Sequence, residues 1–113
     1  MDNFIYKICL IKEWKAAEKS GKFKGTKKDL IDGYIHFSTK KQLASTLKKY
    51  FLKQDGLIIL KVEVLNLKNL KWEKSQAKEI FPHLYSHLNL KNVKNTFKIT
   101  LNDNGNHKIP FDL

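Results

Sequence analysis

Arginine is missing from this chain: all 22 basic residues are lysine, and against 11 acidic residues they leave a formal charge of +11. The absence argues against a nucleic-acid partner, because base edges and phosphates are read largely through the bidentate guanidinium fork. The lysines run from Lys7 to Lys108, with doublets at 27–28, 40–41 and 48–49 and no dense block. They describe a solvated coat with a general pull on small anions. Cysteine occurs once, at Cys9, which excludes an internal disulfide and suits the reducing cytoplasm. Its apolar neighbours make it a buried structural thiol. Long apolar runs are lacking too; Ile8–Ile11 is far too short to target or span a membrane, so no membrane partner is expected.

Glycine is sparse, and none of the five forms a G-x-x-x-x-G-K-[ST], G-x-G-x-x-G or G-x-S-x-G motif. P-loop, Rossmann and α/β-hydrolase chemistry therefore have no anchor. Cys and His pairs at zinc-finger spacing are absent. Glu79, His83 and His87 would align as metal ligands only on a helix, which Pro82 opposes, so no metal is expected.

What is present is enough for one domain spanning 1–113, with 42% apolar and 12% aromatic residues to build a core. Phe4–Leu10 reads as a first strand, followed by a short helix over Ile11–Ser20 that Gly21 closes. Residues 21–33 read as a loop ending in the turn signal Asp32-Gly33, and Tyr34–Phe37 as a second strand. Thr39 and Gln42 form a capping box ahead of a helix with Leu43, Ala44, Leu47 and Phe51 on its apolar face. Leu57–Val64 reads as a central strand. A short strand follows over Leu70–Glu73, with Leu70 and Trp72 inward and Lys71 and Glu73 outward, and residues 74–80 read as a polar loop. Phe81–Leu88 begins extended, Thr96–Leu101 alternates, and Asn104-Gly105 offers a type I′ hairpin turn into His107–Ile109. The sum is a small α+β domain: a curved, mostly antiparallel sheet with two main helices on one side.

Two segments stand out. In DGYIHFS, strand geometry puts Tyr34, His36 and Ser38 on the face opposite Ile35 and Phe37; in FPHLY it puts Phe81, His83 and Tyr85 together. Taken singly, each has an ordinary reading. His36 suits a partly buried histidine bonded to a carbonyl, Ser38 a second capping hydroxyl beside Thr39, and His83 with Tyr85 a core pair flanking a loop. Taken together, they would wall one polar cleft floored by aromatics. Glu73, beside Trp72 and between Lys71 and Lys74, reads either as a surface charge or as a carboxylate at the cleft's lip, where desolvation would raise its pKa.

These same segments carry a resemblance. IYKIC with Trp14, then DLIDGYIHFST, LKWE and FPHLY resemble, in order and spacing, the bacterial family called domain of unknown function 952, from Ile5 to about Ile109. Ser86-His87 stands where that family more often has Gly-Pro. The resemblance implies kinship with the ADP-ribosyltransferase fold, a split α+β structure whose cleft holds NAD. By position, Lys7, Ser38 and Glu73 would fill that fold's working places.

Two functions follow as expectations. The first is NAD-dependent ADP-ribosyl transfer or NAD hydrolysis, with NAD as substrate. Glu73 would stabilise charge building on the ribose, as in glycoside hydrolysis, while His36 and Ser38 hold ribose hydroxyls. Tyr34 or Tyr85 would stack on nicotinamide and Lys7 would face the pyrophosphate, with His83 and Trp72 completing the binding set. The alternative is a non-catalytic module that binds a nucleotide or other small anion in the same cleft.

Overall fold

The computed structural model describes residues 3–75, 78–110 and 112–113. At its centre lie two apolar strands, β1 (Phe4–Leu10) and β4 (Leu57–Glu63), paired antiparallel from Phe4 opposite Glu63 to Leu10 opposite Leu57. Five consecutive residues of β1, Ile5 to Cys9, are buried, as are Leu57–Leu60. Runs buried on both faces require a covering layer on each side. One face (Ile5, Cys9, Ile58, Leu60, Val62) packs with Trp14, Phe23, Ile35, Phe37, Leu84 and Leu88; the other (Tyr6, Ile8, Leu57, Ile59) packs with Leu43, Leu47, Ile99 and Leu113. Each fully buried Leu or Ile side chain contributes roughly 1.5–3 kcal/mol.

The cover on the second face is α3 (Leu43–Tyr50), entered through a 3-10 turn at Lys40–Gln42. The Thr39–Gln42 capping box forms as the spacing predicts. Leu43 and Leu47 are buried and Phe51 half-buried, as their i, i+4, i+8 spacing predicts, whereas Ala44 lies off that face and is exposed. On the first face lie α1 (Ile11–Ser20), with Trp14 and Ala17 inward, and a second sheet, so the two main helices cover opposite faces and not one side as expected. Gly21, in the left-handed region at φ 86°, ends α1 by donating its N–H to the Ala17 carbonyl.

The sheet is split. β8 (Val93–Ile99) completes a β1-β4-β8 sheet, while β3 (Ile35–His36), β6 (Ile80–Leu84) and β5 (Leu70–Lys74) form a second in the order β3-β6-β5. A two-stranded piece, β2 (Lys22–Phe23) with β7 (Leu88–Asn89), makes a third. Every one of these strand pairings is antiparallel. The two larger sheets touch through one bridge, where Tyr6 and Ser38 exchange both backbone hydrogen bonds at 2.8 Å.

Two local readings need correction. Residues 21–33 are not a loop: besides β2 they hold a six-residue helix, α2 (Lys27–Asp32), capped by a Thr26–Asp29 box and ended by Gly33 at φ 88°. The Asn104-Gly105 turn is not type I′, because Gly105 has positive φ and Asn104 does not. Gly105 N–H donates to the Asn102 carbonyl, and the hairpin closes at a Leu101–His107 bridge. Among the described residues, no helix is long and apolar enough to cross a membrane.

Candidate functional site

Strand register brings the two singled-out segments together. His36 on β3 stands directly opposite His83 on β6, and Lys71 on β5 stands on the other side of His83. Two-residue periodicity then puts Glu73 on the same face as His83, and Tyr85 just beyond it. The Tyr34 ring lies in the middle, with centroids 4.2 Å from His83, 4.6 Å from His36 and 5.1 Å from Tyr85. The two segments thus meet in one cluster of aromatic and imidazole rings.

Glu73 is its pinned carboxylate. One oxygen, Oε1, accepts from His83 Nδ1 at 2.8 Å and from the Tyr85 hydroxyl at 2.6 Å. The Tyr85 bond first and the His83 bond second hold the Glu73 carboxyl below its ordinary range, overcoming partial desolvation. The shift is therefore opposite to the one expected from desolvation beside Trp72. The same bond is the main cause, ahead of desolvation, that pushes the Tyr85 phenol up to about 12. Tyr34 is also raised, by desolvation and then by the charges of Asp32, Glu73 and Asp29.

The other wall comes from α2, which sequence periodicity does not reveal. Asp29, only 2% exposed, takes four bonds: from Thr26 N–H and Lys7 Nζ on Oδ2, and from His36 N–H and Nδ1 on Oδ1. Burial works against its charge, but the bonds from His36, Lys7 and Thr26 outweigh it and hold the carboxyl well below the usual range. Gly25 makes room for this: at φ 114°, it would bring an added Cβ within 2.7 Å of the Asp29 Cβ. Asp32 reaches the far side of His36, 3.0 Å from Nε2, so this imidazole sits between two carboxylates. The T-x-x-D pattern at Thr26–Asp29 is the sequence signal that marks this helix.

Three expected site residues lie elsewhere. Lys7 points between the sheets, 4% exposed, with its ammonium 2.7 Å from Asp29 Oδ2 and donating to the His36 carbonyl. Burial lowers its pKa against the pull of Asp29, and it has no free face for a pyrophosphate. Ser38, also 4% exposed, places its hydroxyl 3.1 Å from Thr46 Oγ1 on α3 while its backbone pairs with Tyr6. β3 is only two residues long, so its alternation does not carry through to position 38. Trp72 shares the core-side face of β5 with Leu70, opposite buried Pro82, but on this edge strand it stays 44% exposed, and it lies on the other face from Glu73. Because His83 lies in a strand, Glu79, His83 and His87 do not line up as they would on a helix.

Beside the cluster, a hollow of about 270 Å³ is lined by Leu30, Ile35 and Leu84 together with Lys24, Tyr34 and Tyr85. Lys71 flanks the cluster with its ammonium 5.0 Å from the Tyr85 ring centroid. Three of the chain's 11 acidic residues (Asp29, Asp32 and Glu73) thus gather here, under an otherwise cationic surface.

Comparison with known proteins defines the class. The family model described as protein of unknown function, DUF952, matches residues 8–96, and the chain belongs to this family. It is similar to the crystal structure of CC0527 from Caulobacter crescentus, with 40% identity, 93% of each chain covered and a TM-score of 0.88. A double mutant of CC0527 matches at 39% identity with the same TM-score and coverage. The solution NMR structure of CC0527 matches at 40% identity and 0.83, covering 93% of this chain and 91% of that one. No curated protein matches the chain.

Proposed function

We propose that this cleft binds an NAD-like nucleotide and cleaves its nicotinamide–ribose bond, as an ADP-ribosyl transferase or NAD hydrolase of ADP-ribosyltransferase type. The observation that carries the reading is the Glu73 carboxylate. Its Oε1 is fixed by His83 and Tyr85, and its Oε2 has no hydrogen-bond partner among the described residues. A pre-oriented anion with one open oxygen suits a transition state in which positive charge builds on the ribose. It works without first shedding a proton, because its pKa is lowered rather than raised.

The surroundings support the same ligand. Nicotinamide in NAD is a cationic ring, and cations favour aromatic faces with nearby carboxylates; Tyr34, Tyr85, Asp32 and Glu73 supply both. A bare anion fits three clustered carboxylates poorly, which disfavours a small-anion module. Lys24 at the rim of the hollow and Lys71 beside Tyr85 take the pyrophosphate role that buried Lys7 cannot. His36 has both ring nitrogens engaged by Asp29 and Asp32, and Ser38 has its bond to Thr46, so neither takes the ribose-hydroxyl role. Incubation with NAD, followed by chromatographic detection of nicotinamide, tests the reading. Release that disappears in Glu73→Gln supports it. NAD-induced thermal stabilisation without release would instead favour a non-catalytic nucleotide-binding module.

A further inference from the structure

Two histidines face each other in the cleft, but they are not equivalent. His36 has both ring nitrogens within 3.0 Å of carboxylate oxygens, Nδ1 at Asp29 and Nε2 at Asp32. His83 has Nδ1 at Glu73 only, and its Nε2 has no hydrogen-bond partner among the described residues. No fully buried side-chain nitrogen or oxygen among those residues lacks a partner, so this unpaired Nε2 keeps some solvent access although His83 as a whole is only 7% exposed. An ionised carboxylate can only accept, so Nδ1 must carry the hydrogen. A neutral ring then presents a bare lone pair at Nε2.

We infer that His83 is the general base of the site, held by Glu73 in the Nδ1–H tautomer so that Nε2 takes a proton from the attacking water or acceptor hydroxyl. The inference rests on the reaction proposed above and gives its second half. As water oxygen bonds to the ribose carbon, one water proton passes to His83 Nε2. The carbon–nitrogen bond breaks with its electron pair left on the pyridine nitrogen, so nicotinamide departs neutral, and the imidazolium later returns its proton to solvent. Glu73 thereby has two tasks, one for each oxygen: Oε1 orients the base and Oε2 faces the ribosyl cation. His83 in turn moves from a binding residue to a catalytic one.

The test has two arms. In the first, long-range proton–nitrogen NMR on the uniformly labelled, ligand-free protein reads the tautomer of each histidine. His83 is expected as Nδ1–H with an unprotonated Nε2, and it should lose that preference in Glu73→Ala. A His83 found as the Nε2–H tautomer overturns the inference whatever the protein does to NAD. In the second, NAD hydrolysis is compared in the parent, His83→Ala and His83→Asn; asparagine retains a donor that can reach Glu73. Both variants should lose kcat by on the order of 10²–10⁴-fold with KM little changed, and added imidazole should restore part of the rate to His83→Ala. Parent-like kcat in His83→Asn overturns the inference while leaving the proposed reaction standing. A parent protein that releases no nicotinamide removes the reaction, and with it the catalytic role of His83.

Discussion

His36 and His83 are direct cross-strand partners on β3 and β6, with ring centroids 5.4 Å apart in a T-shaped, edge-to-face arrangement. Each is anchored at Nδ1 by a carboxylate, Asp29 for one and Glu73 for the other. This pairing turns two motifs distant in sequence into opposing walls of one cleft, and the predictions below probe its supports.

The bond from the Tyr85 hydroxyl to Glu73 is open to titration. Because that bond is the chief cause of the rise to about 12, Glu73→Ala should return the phenol toward the ordinary tyrosine value of about 10. Alkaline difference spectroscopy would then show one tyrosine among the four ionising earlier, with a smaller change at Tyr34. Superimposable titrations would contradict the bond. Glu73 lies at the surface with a 36% exposed side chain, so the fold should tolerate the change.

Asp29 governs stability in acid. Its folded pKa lies below the unfolded value of 3.8, so its contribution is complete above about pH 4. As the pH falls below that value, the unfolded chain takes up a proton that the folded one refuses, and stability drops until the folded pKa is passed. Asp29→Asn should flatten this acid limb. It should also cost on the order of 3–5 kcal/mol at neutral pH, because the buried Lys7 ammonium loses its counter-ion. Adding Lys7→Met should recover much of that loss. Urea unfolding from pH 2 to 7 measures all three effects, and an unchanged acid limb in Asp29→Asn would contradict the assignment.

Cys9 is expected to be inert while the chain is folded. It is 1% exposed, and burial pushes its thiol up to about 12, so almost no thiolate exists at pH 8. Iodoacetamide should leave the native mass unchanged and label the protein fully in urea. Rapid native labelling would mean that β1 opens.

How much of this was legible in the sequence depends on what holds each element. β1 and β4 read correctly because they are short, largely apolar runs of strand length, and α1 because Trp14 and Ala17 fall at helical spacing ahead of Gly21. α2 does not: its buried residue is Asp29, while Leu30 and Ile31 are 65% and 76% exposed. A helix held by carboxylate bonds shows no apolar stripe. For β5 the apolar-inward rule assigns the faces correctly, with Leu70 and Trp72 on the side of buried Leu84 and Pro82 and Glu73 on the other; Trp72 is left exposed because β5 is an edge strand, a position that local alternation does not encode. The convergence of Tyr34, His36, His83, Tyr85 and Glu73 followed from simple alternation, whereas Ser38 left the pattern where β3 ends and β1 takes over its pairing.

Tyr34 should matter for ligand binding through its ring rather than its hydroxyl. It packs at a tilt against both histidines and Tyr85, and aromatic contacts contribute about 0.5–1.5 kcal/mol each. Tyr34→Phe should therefore keep NAD affinity, and Tyr34→Ala should weaken it by roughly tenfold in calorimetric titration. Equal affinities for the two variants would remove the ring from the site.

The most direct measurement is nicotinamide release from NAD by the parent protein and by Glu73→Gln, at matched concentration and with folding checked by circular dichroism. Glutamine keeps the acceptor for His83 and Tyr85 but removes the charge. The account predicts measurable release by the parent and a loss of two to three decades, on the order of 10²–10³-fold, in the variant. Equal rates in the two proteins, or binding with no release from either, would contradict it.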